Sequence, residues 1–124
     1  MTDRSPRVLV VDDDDANRQL AVWALEAACE VAEHAGGEGA AERIVESRPD
    51  AVLLDLRMPK VNGLDVVREL ADRAPDLLPR VVVITAETSQ PAVDEIAAAP
   101  VAGVFPRPWE PDEFLDLVRR CCGR

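Results

Sequence analysis

Four aspartates, Asp12 to Asp15, follow directly on the apolar run VLVV, and a fifth, Asp55, ends the apolar run AVLLD. Neighbouring carboxylates repel one another, so a cluster of them needs a compensating cation. An anionic set made only of oxygen ligands suits a hard divalent ion, Mg²⁺ above all, which takes one or two carboxylates and keeps several waters. No His or Cys belongs to the set, which disfavours zinc. A hydroxyl, Thr85, ends the run VVVIT, and a guanidinium, Arg107, follows VAGVF with Pro108 next to it. Carboxylates, a hydroxyl and a cation around a metal ion are the groups that handle a phosphoryl group.

Each residue alone has a plainer reading. Aspartates after a strand cap the next helix, Asp14 or Asp15 being the best placed here. An aspartate at a strand end serves a turn, and a threonine in a strand is a strand former. The chemical reading needs the positions to meet in space, and that depends on the elements carrying them.

Five apolar or β-branched runs read as strands: 8–11, 30–34, 51–55, 81–85 and 101–105. The first, third and fourth are continuously apolar, as strands covered on both faces are. The second, EVAEH, is more polar and reads as an edge. Between the strands, helical spacing links Ala16, Leu20, Trp23, Ala24 and Ala27, with Trp23 assigned to the core. It also links Ala40, Ala41, Ile44 and Val45, and then Leu64, Val67, Ala71 and Ala74. A short helix lies between prolines from Pro91 to Ala98. The last begins near Pro111, buries Phe114, Leu117, Val118 and Cys121, and stops at Gly123. The order βαβαβαβαβα predicts an open, parallel, doubly wound α/β sheet. Ligands of such sheets sit outside the carboxyl ends of the strands, the edge where Asp12–Asp15, Asp55, Thr85 and Arg107 would converge.

The chain has 124 residues, 48% of them hydrophobic and 31% charged, which fits one globular domain spanning 1–124. A net charge of −10 argues against direct binding to nucleic acid. No apolar stretch approaches the roughly 20 residues of a membrane span, and the first residues lack a signal-peptide core, so a cytoplasmic location is expected. Cys29, Cys121 and Cys122 form neither a disulfide framework nor a zinc motif.

The stretches VLVVDDDDANR, LLDLRMPKVNG, VVVITAE and FPRPW resemble, in order and spacing, the signatures of bacterial response-regulator receiver domains. The second is the most specific: Asp55, then Met58-Pro59, then Gly63 eight residues after the aspartate. The resemblance runs from about Arg7 to Arg120. It implies a flavodoxin-like (βα)5 fold with strand order 2-1-3-4-5. Asp55 is then the phosphoryl acceptor of a two-component phosphorelay, and Mg²⁺ is held by Asp12, Asp13, Asp55 and the backbone carbonyl of Arg57. Thr85 and Arg107 contact the phosphoryl group, and Pro108 follows through a cis bond. The implied partners are a histidine kinase or phosphotransfer protein and a downstream target or output domain. A homodimer through the fourth helix, fifth strand and last helix is also implied. Such a domain is a switch rather than an enzyme, assisting only its own phosphorylation and dephosphorylation. The chain's end at Gly123-Arg124 suits a stand-alone regulator or a receiver from a longer protein.

Two positions depart from the family. Arg107 stands where it has lysine, and a planar fork is bulkier than an ammonium and favours two-point contacts. Val104 stands where an aromatic is usual, with Phe105 one residue later and so on the opposite face of the strand. These departures motivate an alternative, a receiver-like module that works by phosphate-independent protein interaction. Arg57 and Glu87, each two residues past a site residue, would flank the mouth and tune water access. A third reading, a Mg²⁺-dependent phosphohydrolase with Asp55 as nucleophile, is disfavoured because Arg57 stands where such enzymes often carry a second aspartate. Trp109 suits packing at the start of the last helix, Lys60 a solvated loop, and His34 carries no assigned chemistry.

Overall fold

The computed structural model describes residues 5–86, 91–107 and 110–122. Its strands are β1 (Arg7–Val11), β2 (Glu30–His34), β3 (Ala51–Asp55), β4 (Val81–Thr85) and β5 (Gly103–Pro106). Its helices are α1 (Asp15–Leu25), α2 (Ala40–Ser47), α3 (Gly63–Arg73), α4 (Pro91–Ala97) and α5 (Pro111–Cys122). All strand pairs are parallel, in the order β2-β1-β3-β4-β5, which is the order the family resemblance implies.

The composition of each strand follows its place in the sheet. β3 and β4 lie inside and are buried at every position, whereas β2, at an edge, has no buried residue. Alternate residues serve opposite faces. Leu9, Val11, Val52, Leu54 and Val83 pack with Ala40 and Ile44 of α2, Val66 and Leu70 of α3, and Ile96 of α4. Val8, Val10, Leu53, Val82 and Ile84 pack with Ala21 and Leu25 of α1 and with Phe114, Leu117 and Val118 of α5. Each large side chain buried this way contributes about 1.5–3 kcal/mol.

Local signals place the helices that border the site. Asp14 caps α1, its side chain accepting the amide of Asn17 at 3.0 Å. Asn62 and Asp65 form a reciprocal capping box at α3, each side chain accepting the other's amide at 3.0 Å. Pro75–Arg80 adds a 3-10 helix, which apolar periodicity does not announce because only Leu77 and Leu78 turn inward.

Three expectations need correction. Trp23 is not core: it is 64% exposed. Ala21 and Leu25 face the sheet, and two residues beyond Ala21 the helix has turned about 200°. Ala16, Ala27 and Ala71 are exposed as well. Finally, β5 starts at Gly103 rather than at 101, since Gly103 adopts a φ of 155° that turns the chain into the strand. Glu87, Pro108 with its expected cis bond, Trp109 and Gly123 lie outside the described residues. Among the described residues no helix is long and apolar enough to cross a membrane.

Candidate functional site

The carboxyl edge of the sheet collects the acidic residues because β1 and β3 are direct neighbours. Asp12 continues β1 by one residue, and its amide donates to the carbonyl of His34 at 3.2 Å. Its Oδ1 accepts the amide of Asp14 at 2.9 Å, so the acidic run folds back on itself before α1 begins. Asp12 is buried and Asp13 exposed. Asp55, the last residue of β3, is also buried.

The start of α3 is pressed against Asp55. The Gly63 amide donates to the Leu56 carbonyl at 2.8 Å. A Cβ on Gly63 would lie 2.8 Å from both the Asp55 carbonyl oxygen and the Leu56 Cα. Only glycine lets the helix approach the strand tip this closely. Thr85, fully buried, closes β4, and its carbonyl accepts the amide of Arg107 at 3.0 Å.

Carboxylate oxygens of Asp12, Asp13 and Asp55 lie within 4.8 Å of one another. The Arg107 guanidinium sits against two of the three. Its Nη2 donates to Oδ1 of Asp55 at 2.9 Å, and its Nη1 lies 3.5 Å from Oδ2 of Asp12. Burial pushes the Asp55 carboxyl up to about 7; the charges of Asp12 and Asp13 add to this, while Arg107 and the Arg57 amide oppose it. Asp12 is raised in the same way, by burial first, against the Asp14 amide and Arg107. An open cavity of about 240 Å³ faces the cluster, with the exposed Arg57 at its rim. Three convergent carboxylates with no nitrogen or sulfur ligand fit a hard divalent cation.

Val104 packs on the face of the sheet that carries α4. Phe105 packs on the other face, toward α1 and α5, with the Arg120 guanidinium 5.0 Å from its ring centroid. Lys60 is exposed, its ammonium 3.5 Å from Glu38. Arg18 of α1 escaped the sequence reading. Its Nη1 donates to the Asp12 carbonyl at 2.8 Å, which ties it to the acidic run.

A β2-β1-β3-β4-β5 sheet with acids gathered at its carboxyl edge narrows the class of domain, and comparison with known proteins identifies it. A sequence model of the response regulator receiver domain matches residues 8–119. The chain belongs to that family. It is 39% identical over 119 residues to the response regulator MprA of Mycobacterium ulcerans (strain Agy99), covering 93% of this chain and 49% of MprA. It is 28% identical over 116 residues to the transcriptional regulatory protein DegU of Brevibacillus brevis, covering 91% of this chain and 48% of DegU. The chain thus spans about half the length of the curated relatives it matches. Among solved structures it is similar to the signal receiver domain of NarL from Mycobacterium tuberculosis. The TM-score there is 0.81 at 30% identity, over 97% of this chain and 98% of that one. It is a receiver domain, a signalling module of two-component systems.

Proposed function

We propose that Asp55 is the phosphoryl acceptor of a single receiver domain spanning residues 1–124. The observation that carries this reading is the buried Asp55 carboxylate at the tip of β3, within 4.8 Å of those of Asp12 and Asp13. A carboxylate oxygen of Asp55 attacks phosphorus. The bond from phosphorus to the donor's imidazole nitrogen breaks, and its electron pair returns to the ring. An acyl phosphate results.

Asp12, Asp13, Asp55 and the Arg57 carbonyl would hold Mg²⁺, which when bound stabilises the charge gathering on the phosphoryl oxygens. Asp55 must be deprotonated to attack, whereas burial first, with the charges of Asp12 and Asp13, pushes its carboxyl up to about 7, so a cation at the cluster would favour the attacking form. Thr85 donates its hydroxyl to one phosphoryl oxygen and Arg107 its guanidinium to another. The modification adds roughly −1.5 to −2 charge, enough to shift a two-state surface of α4, β5 and α5.

The donor is a histidine kinase or phosphotransfer protein, and the receiver of the signal is a protein target or an output domain. Pairing of two copies through α4, β5 and α5 is one form the output takes. The domain works in the cytoplasm as a switch, with no turnover beyond its own phosphorylation and dephosphorylation.

Acetyl phosphate with Mg²⁺, followed by intact-mass measurement, tests the reading. The wild type gains one phosphoryl group and Asp55→Asn gains none. No gain in the wild type, or an equal gain in the variant, would overturn it.

A further inference from the structure

The Arg107 contacts carry a consequence for the cation site. One planar fork spans two carboxylates delivered by different strands, Asp55 at 2.9 Å and Asp12 at 3.5 Å. Those carboxylates belong to the set that would ligate a divalent ion. We propose that Arg107 is a built-in counter-cation that competes with Mg²⁺ for Asp12 and Asp55, so that metal entry displaces its guanidinium. The inference rests on the reading of Asp12, Asp13 and Asp55 as a divalent-cation site.

Three observations support displacement rather than coexistence. The guanidinium takes up oxygens on both buried carboxylates, and a divalent ion brought onto the same groups would meet a like charge at contact range. Asp13 is exposed and lies outside both Arg107 contacts, so it offers an ion a first foothold. The Arg107 backbone is fixed by its amide bond to the Thr85 carbonyl, 3.0 Å, while its side chain borders the open cavity. The side chain can therefore swing out without disturbing β5. A lysine would compete less well, because a compact ammonium lacks the rigid fork that engages two carboxylates at once.

The test follows Arg107 directly. Side-chain ¹⁵N signals of the wild type, assigned by their loss in Arg107→Lys, are recorded while Mg²⁺ is added. Calorimetry gives the affinity in parallel. The Arg107 signal shifts and its N–H protons exchange faster in step with metal binding. Arg107→Gln tightens Mg²⁺ binding by about tenfold, ~1.4 kcal/mol, and Arg107→Lys falls between it and the wild type. Asp13→Asn weakens binding in every background, showing that the heat reports the acidic cluster. A signal that stays fixed while metal binds, or an Arg107→Gln affinity no tighter than wild type, overturns the competition and leaves the cation site standing. Absence of Mg²⁺ binding in all variants overturns the cation site itself, and the competition with it.

Discussion

Arg18 holds Asp12 by its backbone: Nη1 of the arginine donates to the Asp12 carbonyl at 2.8 Å. The same guanidinium group reaches Glu33 of β2 at 3.2 Å through Nε and pairs with Asp15 of α1 through Nη2. Its side chain is only 12% exposed. One residue thus joins the tip of β1, the edge strand and the first turn of α1, which sets where the acidic run can lie.

Replacing Arg18 with methionine keeps much of the stem and removes the donors. The expected cost is ~1–2 kcal/mol in urea unfolding, mostly from the part-buried Asp12 carbonyl losing its donor, since the Asp15 and Glu33 carboxylates are exposed and contribute little. Mg²⁺ affinity, read by calorimetry, falls several-fold because Asp12 and Asp13 lose their fixed carrier. A stability loss with unchanged metal affinity would reduce Arg18 to a structural tie.

The raised Asp55 carboxyl makes stability depend on pH. The native state holds its proton up to about pH 7, whereas the unfolded chain releases it near the ordinary aspartate value of 3.8. The native state therefore binds more protons between these values. The stabilisation is fully present below the unfolded value and is lost as pH rises through the folded one. Metal-free wild type is expected to lose ~2–4 kcal/mol relative to Asp55→Asn between about pH 4 and pH 8. Urea midpoints of both proteins across that range check this. Parallel curves would show that Asp55 titrates normally.

Phe105 faces α5 and not α4, with Arg120 over its ring and Gly103 beneath it. A Cβ on Gly103 would come within 2.6 Å of that ring. The ring is therefore a packing element of the α1–α5 layer. Phe105→Ala is expected to cost ~2 kcal/mol, less than a fully buried phenylalanine, and to leave phosphoryl uptake from acetyl phosphate unchanged. A marked slowing in an intact-mass time course would tie the ring to the site after all.

The parts legible in the sequence are those fixed by burial on both sides. VLVV, AVLLD and VVVIT could only be inner strands, and their succession placed Asp12, Asp55 and Thr85 on one edge. Trp23 misled because side-chain type says what a residue would prefer, while the phase of α1 on the sheet decides what it gets. The Arg107 bridge was not legible either. Arg107 follows β5, and its reach to Asp12 beyond β1 passes across β4 and β3, a span that spacing along the chain does not encode. Arg18 did leave a signal. It shares a stripe with Ala21 and Leu25, and a charged residue aligned with a buried stripe has to have a partner.

Every position of β3 and β4 is buried. Amides at the centre of such strands trade hydrogen for deuterium only when the whole domain opens. Asp55 is thus mounted at the end of a strand whose central amides are expected to be among the slowest to exchange. A rearrangement that followed a change at that carboxylate would fall on the surrounding loops and helices, with the buried sheet as the frame against which they move.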